Sequence, residues 1–305
     1  MAKIGLLFAG QGAQYPGMGR DFYDQNDAAR KVYTLADRVR PGTSAQCFAG
    51  SKEELTITAN TQPCMFATDL AIAEALRFNG VEAAAVAGFS LGELAALTYA
   101  GAFTPEQGFG LVQQRAALMQ AAAEAHPGKM AAVLKLSFEK VDDLCKEAGV
   151  YPVNYNCPGQ VSVAGEAGKM DELTALVKAA GGRAIPLPVG GGFHSPFMAE
   201  AAKNFLPVVE GADMQAPQIP VYANKTAKPY EGADPALLAA QIKSPVLWQK
   251  TMENMMESGI DLMIEVGPGK TLYGFVQRLN PDFPVYHCDT VENMNEILAA
   301  VRRNG

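Results

Sequence analysis

The chain is poor in histidine, with three in 305 residues, and it has a single tryptophan. Its cysteines, Cys47, Cys64, Cys145, Cys157 and Cys288, are odd in number, scattered, and include no C-x-x-C pair. That excludes a disulfide framework and argues against a zinc site. No apolar run approaches the roughly 18 residues of a membrane span. The apolar segment from Ile4 to Ala9 is too short for a secretion signal and reads as a buried strand. Basic runs are missing too, and the net charge of −7 argues against nucleic acid as a partner. No internal repeat or low-complexity tract is visible. These absences lead to the expectation of a reducing, cytoplasmic setting with no membrane and no nucleic acid.

What is present fits a globular chain with a sizeable core: 49% hydrophobic and 19% charged residues. At about 150 residues per domain, the length suggests two units. Strand and helix signals alternate. Ile4 to Ala9 is a strand, Pro63 to Phe78 a helix with Pro63 in its first turn, Ala83 to Ala87 a strand, and Leu91 to Tyr99 a helix. Thr104-Pro105-Glu106-Gln107 has the form of a capping box and opens a helix to about Ala125. Asp261 to Val266 is a strand, turned by Gly267-Pro268-Gly269 into another helix. This alternation predicts a mainly parallel sheet wrapped by helices.

The middle has a different rhythm. After the break at His126-Pro127-Gly128 come a strand (Met130 to Leu136), a helix (Phe138 to Ala148) and strands around Val153–Asn156 and Val161–Ala164. A helix (Asp171 to Ala180) and a strand (Arg183 to Val189) follow. That order is ferredoxin-like. It predicts a small α+β subdomain at 127–193, inserted in a core formed by 1–126 and 194–305.

The chemistry-bearing residues are few. Gly88-Phe89-Ser90-Leu91-Gly92 joins an apolar strand to a helix, the setting in which a sharp turn exposes a serine hydroxyl and the N–H of Leu91 faces an oxyanion. A tight turn of small residues is the plainer reading. A serine nucleophile needs a base. His126 reads as a loop residue and His287 as a strand residue, which leaves His194, in Gly190-Gly191-Gly192-Phe193-His194-Ser195-Pro196. Arg115 falls on the same helix face as Leu111, Val112, Leu118, Met119 and Ala122. A buried guanidinium must find an anion, and an internal carboxylate and a substrate carboxylate satisfy that need equally well. Gly10-Gln11-Gly12 fails the dinucleotide pattern because Tyr15 stands at the third glycine position, and Gly269-Lys270-Thr271 fails the phosphate-loop pattern because position 264 is Ile. Both read as turns near the site, and Gln11 is placed to offer its backbone N–H to an oxyanion. Cys157 reads as a small packing residue.

Taken together, FAGQGAQYPGMG (8–19), NTQP (60–63), GFSLGELAAL (88–97), QQRAALMQ (113–120), VNYNCPGQVSVAG (153–165), FHSPFM (193–198), VYANKTA (221–227) and EVGPGKTL (265–272) resemble the malonyl-CoA:acyl carrier protein transacylase family along essentially the whole chain. The resemblance implies an α/β-hydrolase-like core with a ferredoxin-like insert, and ping-pong transfer of malonyl from malonyl-CoA to the pantetheine thiol of acyl carrier protein. It implies Ser90 as nucleophile and His194 as base, Gln11 and Leu91 as the oxyanion hole, and Arg115 on the malonyl carboxylate. Gln241 would orient the histidine through its main chain, and Gln62 and Asn156 would line the cleft. No cofactor or metal is implied, since CoA and phosphopantetheine enter as substrates; a monomer is expected. The family usually has His where this chain has Phe89, whereas the Phe193-His194 pair matches the malonyl-type pattern. The rival readings are a serine thioesterase, an acyltransferase for a substituted malonyl group, and a docking subunit without catalysis.

Overall fold

The computed structural model describes residues 2–303; Met1, Asn304 and Gly305, at the outer ends of the expected core, lie outside it. Five strands form the central sheet: β1 (Ile4–Phe8), β2 (Ala83–Gly88), β7 (Val221–Tyr222), β8 (Leu262–Val266) and β9 (Val285–Cys288). Their order is β7-β2-β1-β8-β9 and every pairing is parallel. β1 and β8 are buried at every position, the pattern of strands covered by helices on both faces.

Register decides where chemistry can happen. Phe8 pairs with Gly88 on one side and with Val266 on the other, so β1, β2 and β8 end level. The Gly10-Gln11-Gly12 turn, the serine turn and the Gly267-Pro268-Gly269 turn therefore leave the same edge of the sheet. Ligand sites in parallel α/β sheets form at this carboxyl edge.

A second sheet lies between Lys129 and Pro186: β3 (Lys129–Leu134), β4 (Tyr151–Cys157), β5 (Gln160–Gly165) and β6 (Arg183–Pro186). It is antiparallel in the order β4-β5-β3-β6, with helices Phe138–Ala148 and Ala167–Ala179 between its strands. That is the ferredoxin-like arrangement, and it closes over a core of its own that includes Val133, Val141, Leu144, Val161, Val163, Leu173 and Val177. β4 also meets the segment after Gln241: Tyr155 N–H donates to Val246 O (2.9 Å), and Val246 N–H donates to Val153 O (2.8 Å).

Three elements differ from expectation by three residues or more, and one of them is the helix expected from Asp171, which begins a turn earlier at Ala167. The helix expected from Pro63 begins at Thr58, with Pro63 in its interior. Proline there forfeits one bond, to the carbonyl of residue 59, and the long buried helix tolerates the loss. The strand expected to run to Val189 stops at Pro186, because Pro186 and Pro188 have no N–H to continue a ladder. The capping box at Thr104 is complete: Gln107 N–H donates to Thr104 Oγ1 (3.2 Å), and Thr104 N–H donates to Gln107 Oε1 (2.8 Å). This fixes the start of Pro105–Ala125, the helix that carries Arg115.

Candidate active site

Ser90 sits at φ 55°, a left-handed conformation that costs a non-glycine residue about 1 kcal/mol or more. Its neighbours make the turn sterically possible. A Cβ on Gly88 would lie 1.9 Å from the backbone of Gly92, and one on Gly92 would lie 2.5 Å from the Phe8 carbonyl oxygen. Asn224 ties down both sides of the turn. Its Oδ1 accepts from Ser90 N–H (2.8 Å) and its Nδ2 donates to Gly88 O (2.7 Å).

His194 is buried, at 3% exposure, with Nε2 2.7 Å from Ser90 Oγ and Nδ1 3.0 Å from the main-chain oxygen of Gln241. A carbonyl only accepts, so Nδ1 carries the proton and Nε2 is the free base facing the hydroxyl. Burial, and then the charge of Arg115, push the His194 imidazole down to about 4. At neutral pH it is therefore uncharged and able to take a proton.

Arg115 is 1% exposed and takes part in no ion pair among the described residues. Its Nη1 donates to Gln62 Oε1 (2.7 Å), and its Nη2 donates to Gln241 Oε1 (2.9 Å) and Ser90 Oγ (3.2 Å). Burial lowers it to about 10, opposed by Glu93, so it stays a cation at neutral pH. Of the two partners left open for Arg115, no internal carboxylate is in contact with it. Its neighbours are neutral amides and the serine hydroxyl.

The N–H groups of Leu91 and Gln11 take part in no hydrogen bond among the described residues, which leaves them free to face an oxyanion. Gly10 brings its loop against the turn, since a Cβ there would lie 2.7 Å from Phe89 O. A cavity of about 260 Å³ opens beside them, lined by Gln11, Phe89, Asn154, Asn156, Ser162 and Glu265 among others. Asn156 Nδ2 donates to Ser162 Oγ (3.2 Å), while Asn156 Oδ1 and Asn154 Oδ1 are buried without partners. Phe89 packs edge-on against Trp248, with ring centroids 5.3 Å apart, and reaches Phe275 as well. Of the remaining histidines, His126 is an exposed helix cap and His287 lies in β9, as their sequence contexts suggest.

Six of the eight residues singled out from the sequence thus gather around Ser90, while Gln11 and Asn156 line the adjoining cavity. Glu93, Asn224 and Tyr230 were missed. Glu93 accepts from Tyr230 Oη (2.5 Å), Asn224 N–H (2.9 Å) and Gln241 Nε2 (3.2 Å). A signal for it did exist: it is the one charge in Gly92–Tyr99, a helix whose every residue is buried.

A serine in a strained strand-to-helix turn, paired with a buried histidine at the edge of a parallel sheet, is the arrangement of α/β enzymes that handle acyl groups through an activated hydroxyl. Comparison with known proteins gives the class its name. The model of the acyl transferase domain family matches residues 6–293, and the chain belongs to that family. It is 38% identical over 289 residues to the malonyl CoA-acyl carrier protein transacylase of Bacillus subtilis, covering 92% of this chain and 91% of the relative. It is 33% identical over 303 residues to the Staphylococcus aureus protein of the same name, covering 96% and 98%. Among solved structures, the malonyl CoA-acyl carrier protein transacylase of Clostridium perfringens superposes with a TM-score of 0.95 at 35% identity, covering 99% of this chain and 98% of that one. A malonyl-transacylase in complex with a type II PKS acyl-carrier protein also gives 0.95, at 33% identity, covering 98% and 100%.

Proposed function

We propose that this enzyme moves a malonyl group from malonyl-CoA to the phosphopantetheine thiol of acyl carrier protein, through a malonyl ester on Ser90. The observation that carries the reading is Ser90 Oγ held between the His194 base and a buried Arg115 that no internal carboxylate touches. Ser90 Oγ attacks the thioester carbonyl as its proton passes to His194 Nε2. The oxyanion that forms is met by the N–H groups of Leu91 and Gln11. As the C–S bond breaks, the imidazolium returns the proton to the CoA sulfur. A pantetheine thiol then gives its proton to His194 and attacks the ester carbonyl; as the C–O bond to Ser90 breaks, the imidazolium returns that proton to Ser90 Oγ. Throughout, the free carboxylate of the acyl group lies against Arg115, with Gln62 holding the other side of the guanidinium. The unpartnered Asn156 oxygen in the cavity suits an amide N–H of the pantetheine arm. A serine hydrolase normally sets an acid against Nδ1 of its histidine, whereas here the partner is the Gln241 carbonyl. The proposal needs no metal or prosthetic group, and it places a monomeric enzyme in the cytoplasm, where CoA thioesters are made. Among the described residues, no helix is long and apolar enough to cross a membrane.

The test is intact-protein mass spectrometry with malonyl-CoA, acetyl-CoA and methylmalonyl-CoA in competition. A malonyl adduct that is discharged by holo acyl carrier protein far faster than by water is expected. Discharge by water at the same rate sinks the transferase reading, and a preferred methylmalonyl adduct sinks the choice of acyl group.

The acid limb of kcat/KM offers a second check. A base lowered to about 4 stays neutral, and competent, down to pH 5. The rate is therefore expected to be flat between pH 5.5 and 7.5. A limb near the unperturbed histidine value of about 6.5 contradicts a buried His194 as the base.

A further inference from the structure

Glu93 takes no part in the steps above, yet it is a wholly buried carboxylate just beyond the nucleophile. Every contact it makes is with a donor: the Tyr230 hydroxyl, the Asn224 N–H and the Gln241 side-chain amide. That set suits an ionised carboxylate, which only accepts. Burial raises its carboxyl above the usual range, and these donors together with the Arg115 charge oppose that rise in part.

Its charge faces Arg115 across one amide. Arg115 Nη2 donates to Gln241 Oε1 (2.9 Å), and Gln241 Nε2 donates onward to Glu93 Oε2 (3.2 Å). Glu93 is also the acidic group whose field supports the Arg115 cation. We propose that Glu93 is a positioning residue, the resident counter-charge of Arg115, held one amide away so that the buried guanidinium is compensated in the empty site yet keeps donors for an acyl carboxylate. A direct ion pair would occupy those donors, and no counter-charge at all would leave a buried cation uncompensated. The same amide belongs to the residue whose main-chain oxygen orients His194, so Glu93 also steadies the base. This inference rests on the malonyl-transfer reading and deepens it by naming what sets the strength of the carboxylate grip.

Calorimetric titration of malonyl-CoA and acetyl-CoA into Ser90→Ala and Ser90→Ala/Glu93→Gln separates binding from turnover. Removing the competing charge is expected to tighten malonyl-CoA about tenfold while acetyl-CoA changes by less than about twofold. With Ser90 intact, Glu93→Gln should lower KM for malonyl-CoA together with kcat, because Gln241 loses an anchor. Malonyl-CoA binding that is unchanged or weaker, or an equal change for both esters, overturns the proposal. Failure of the underlying reading is distinguishable, since the unaltered enzyme would then form no malonyl adduct. Where the Gln variant does not fold, Tyr230→Phe, which strips one donor from Glu93, carries the same test. It should give a smaller selective tightening, and no selective change counts against the proposal.

Discussion

Ser90→Ala is expected to reduce malonyl transfer by a factor on the order of 10⁵ and to abolish the covalent adduct. Serine nucleophiles act as a unit with their base, and loss of either member leaves only the contribution of binding and the oxyanion donors. Here the loss is confined to one oxygen. Ser90 already carries a Cβ at φ 55°, so alanine adds no backbone strain, and Asn224 still clamps the N–H and the Gly88 carbonyl. What disappears is the hydroxyl between His194 Nε2 and Arg115 Nη2. The variant should fold, melt near the parent temperature and bind malonyl-CoA. Transfer measured by a gel or mass assay on acyl carrier protein decides the matter. Retained transfer would remove Ser90 from the mechanism and revive the docking-subunit reading.

Arg115→Ala is the second large effect, and its signature is selectivity. A charge-assisted pair in a buried site contributes several kcal/mol when one partner is removed, so kcat/KM for malonyl-CoA should fall about 10³-fold. Acetyl-CoA has no carboxylate to lose, and its kcat/KM should fall far less. Two side effects temper the comparison: Gln62 and Gln241 each lose a donor, and His194 loses the cation that adds to burial in lowering its pKa. Both act on the two esters alike, so the ratio of malonyl to acetyl kcat/KM isolates the clamp. An equal loss for the two esters would show that Arg115 supports the fold of the site and does not grip the substrate.

Phe89 is where the chain departs from the usual family pattern. The structure turns its ring against Trp248 and Phe275, on the side where the cavity opens, while Arg115 reaches Ser90 from the Gln62 and Gln241 side. The polar group lost at position 89 therefore lies away from the contacts of the guanidinium.

Sequence by itself determined the features that depend on near neighbours in the chain. The serine turn follows from two glycines and an apolar strand, and the start of the arginine helix follows from the Thr104–Gln107 box. Arg115 on an apolar face follows from helical periodicity, because these patterns express local sterics and hydrogen bonding. His194 emerged by elimination among three histidines, and the role of Gln241 came only with the family resemblance. The start of the Thr58–Phe78 helix was misplaced because a proline usually marks a first turn, and here burial of the helix outweighs that preference. Tertiary structure alone decided which groups share the site. Ser90 meets His194 104 positions away, Asn224 134 positions away and Gln241 151 positions away. It also decided the tautomer of His194, the neutral surroundings of Arg115 and the placing of Glu93 behind an amide. Those facts depend on the order β7-β2-β1-β8-β9 and on strands that end level. Local propensity does not specify such an order; it arises from packing distant segments into one core.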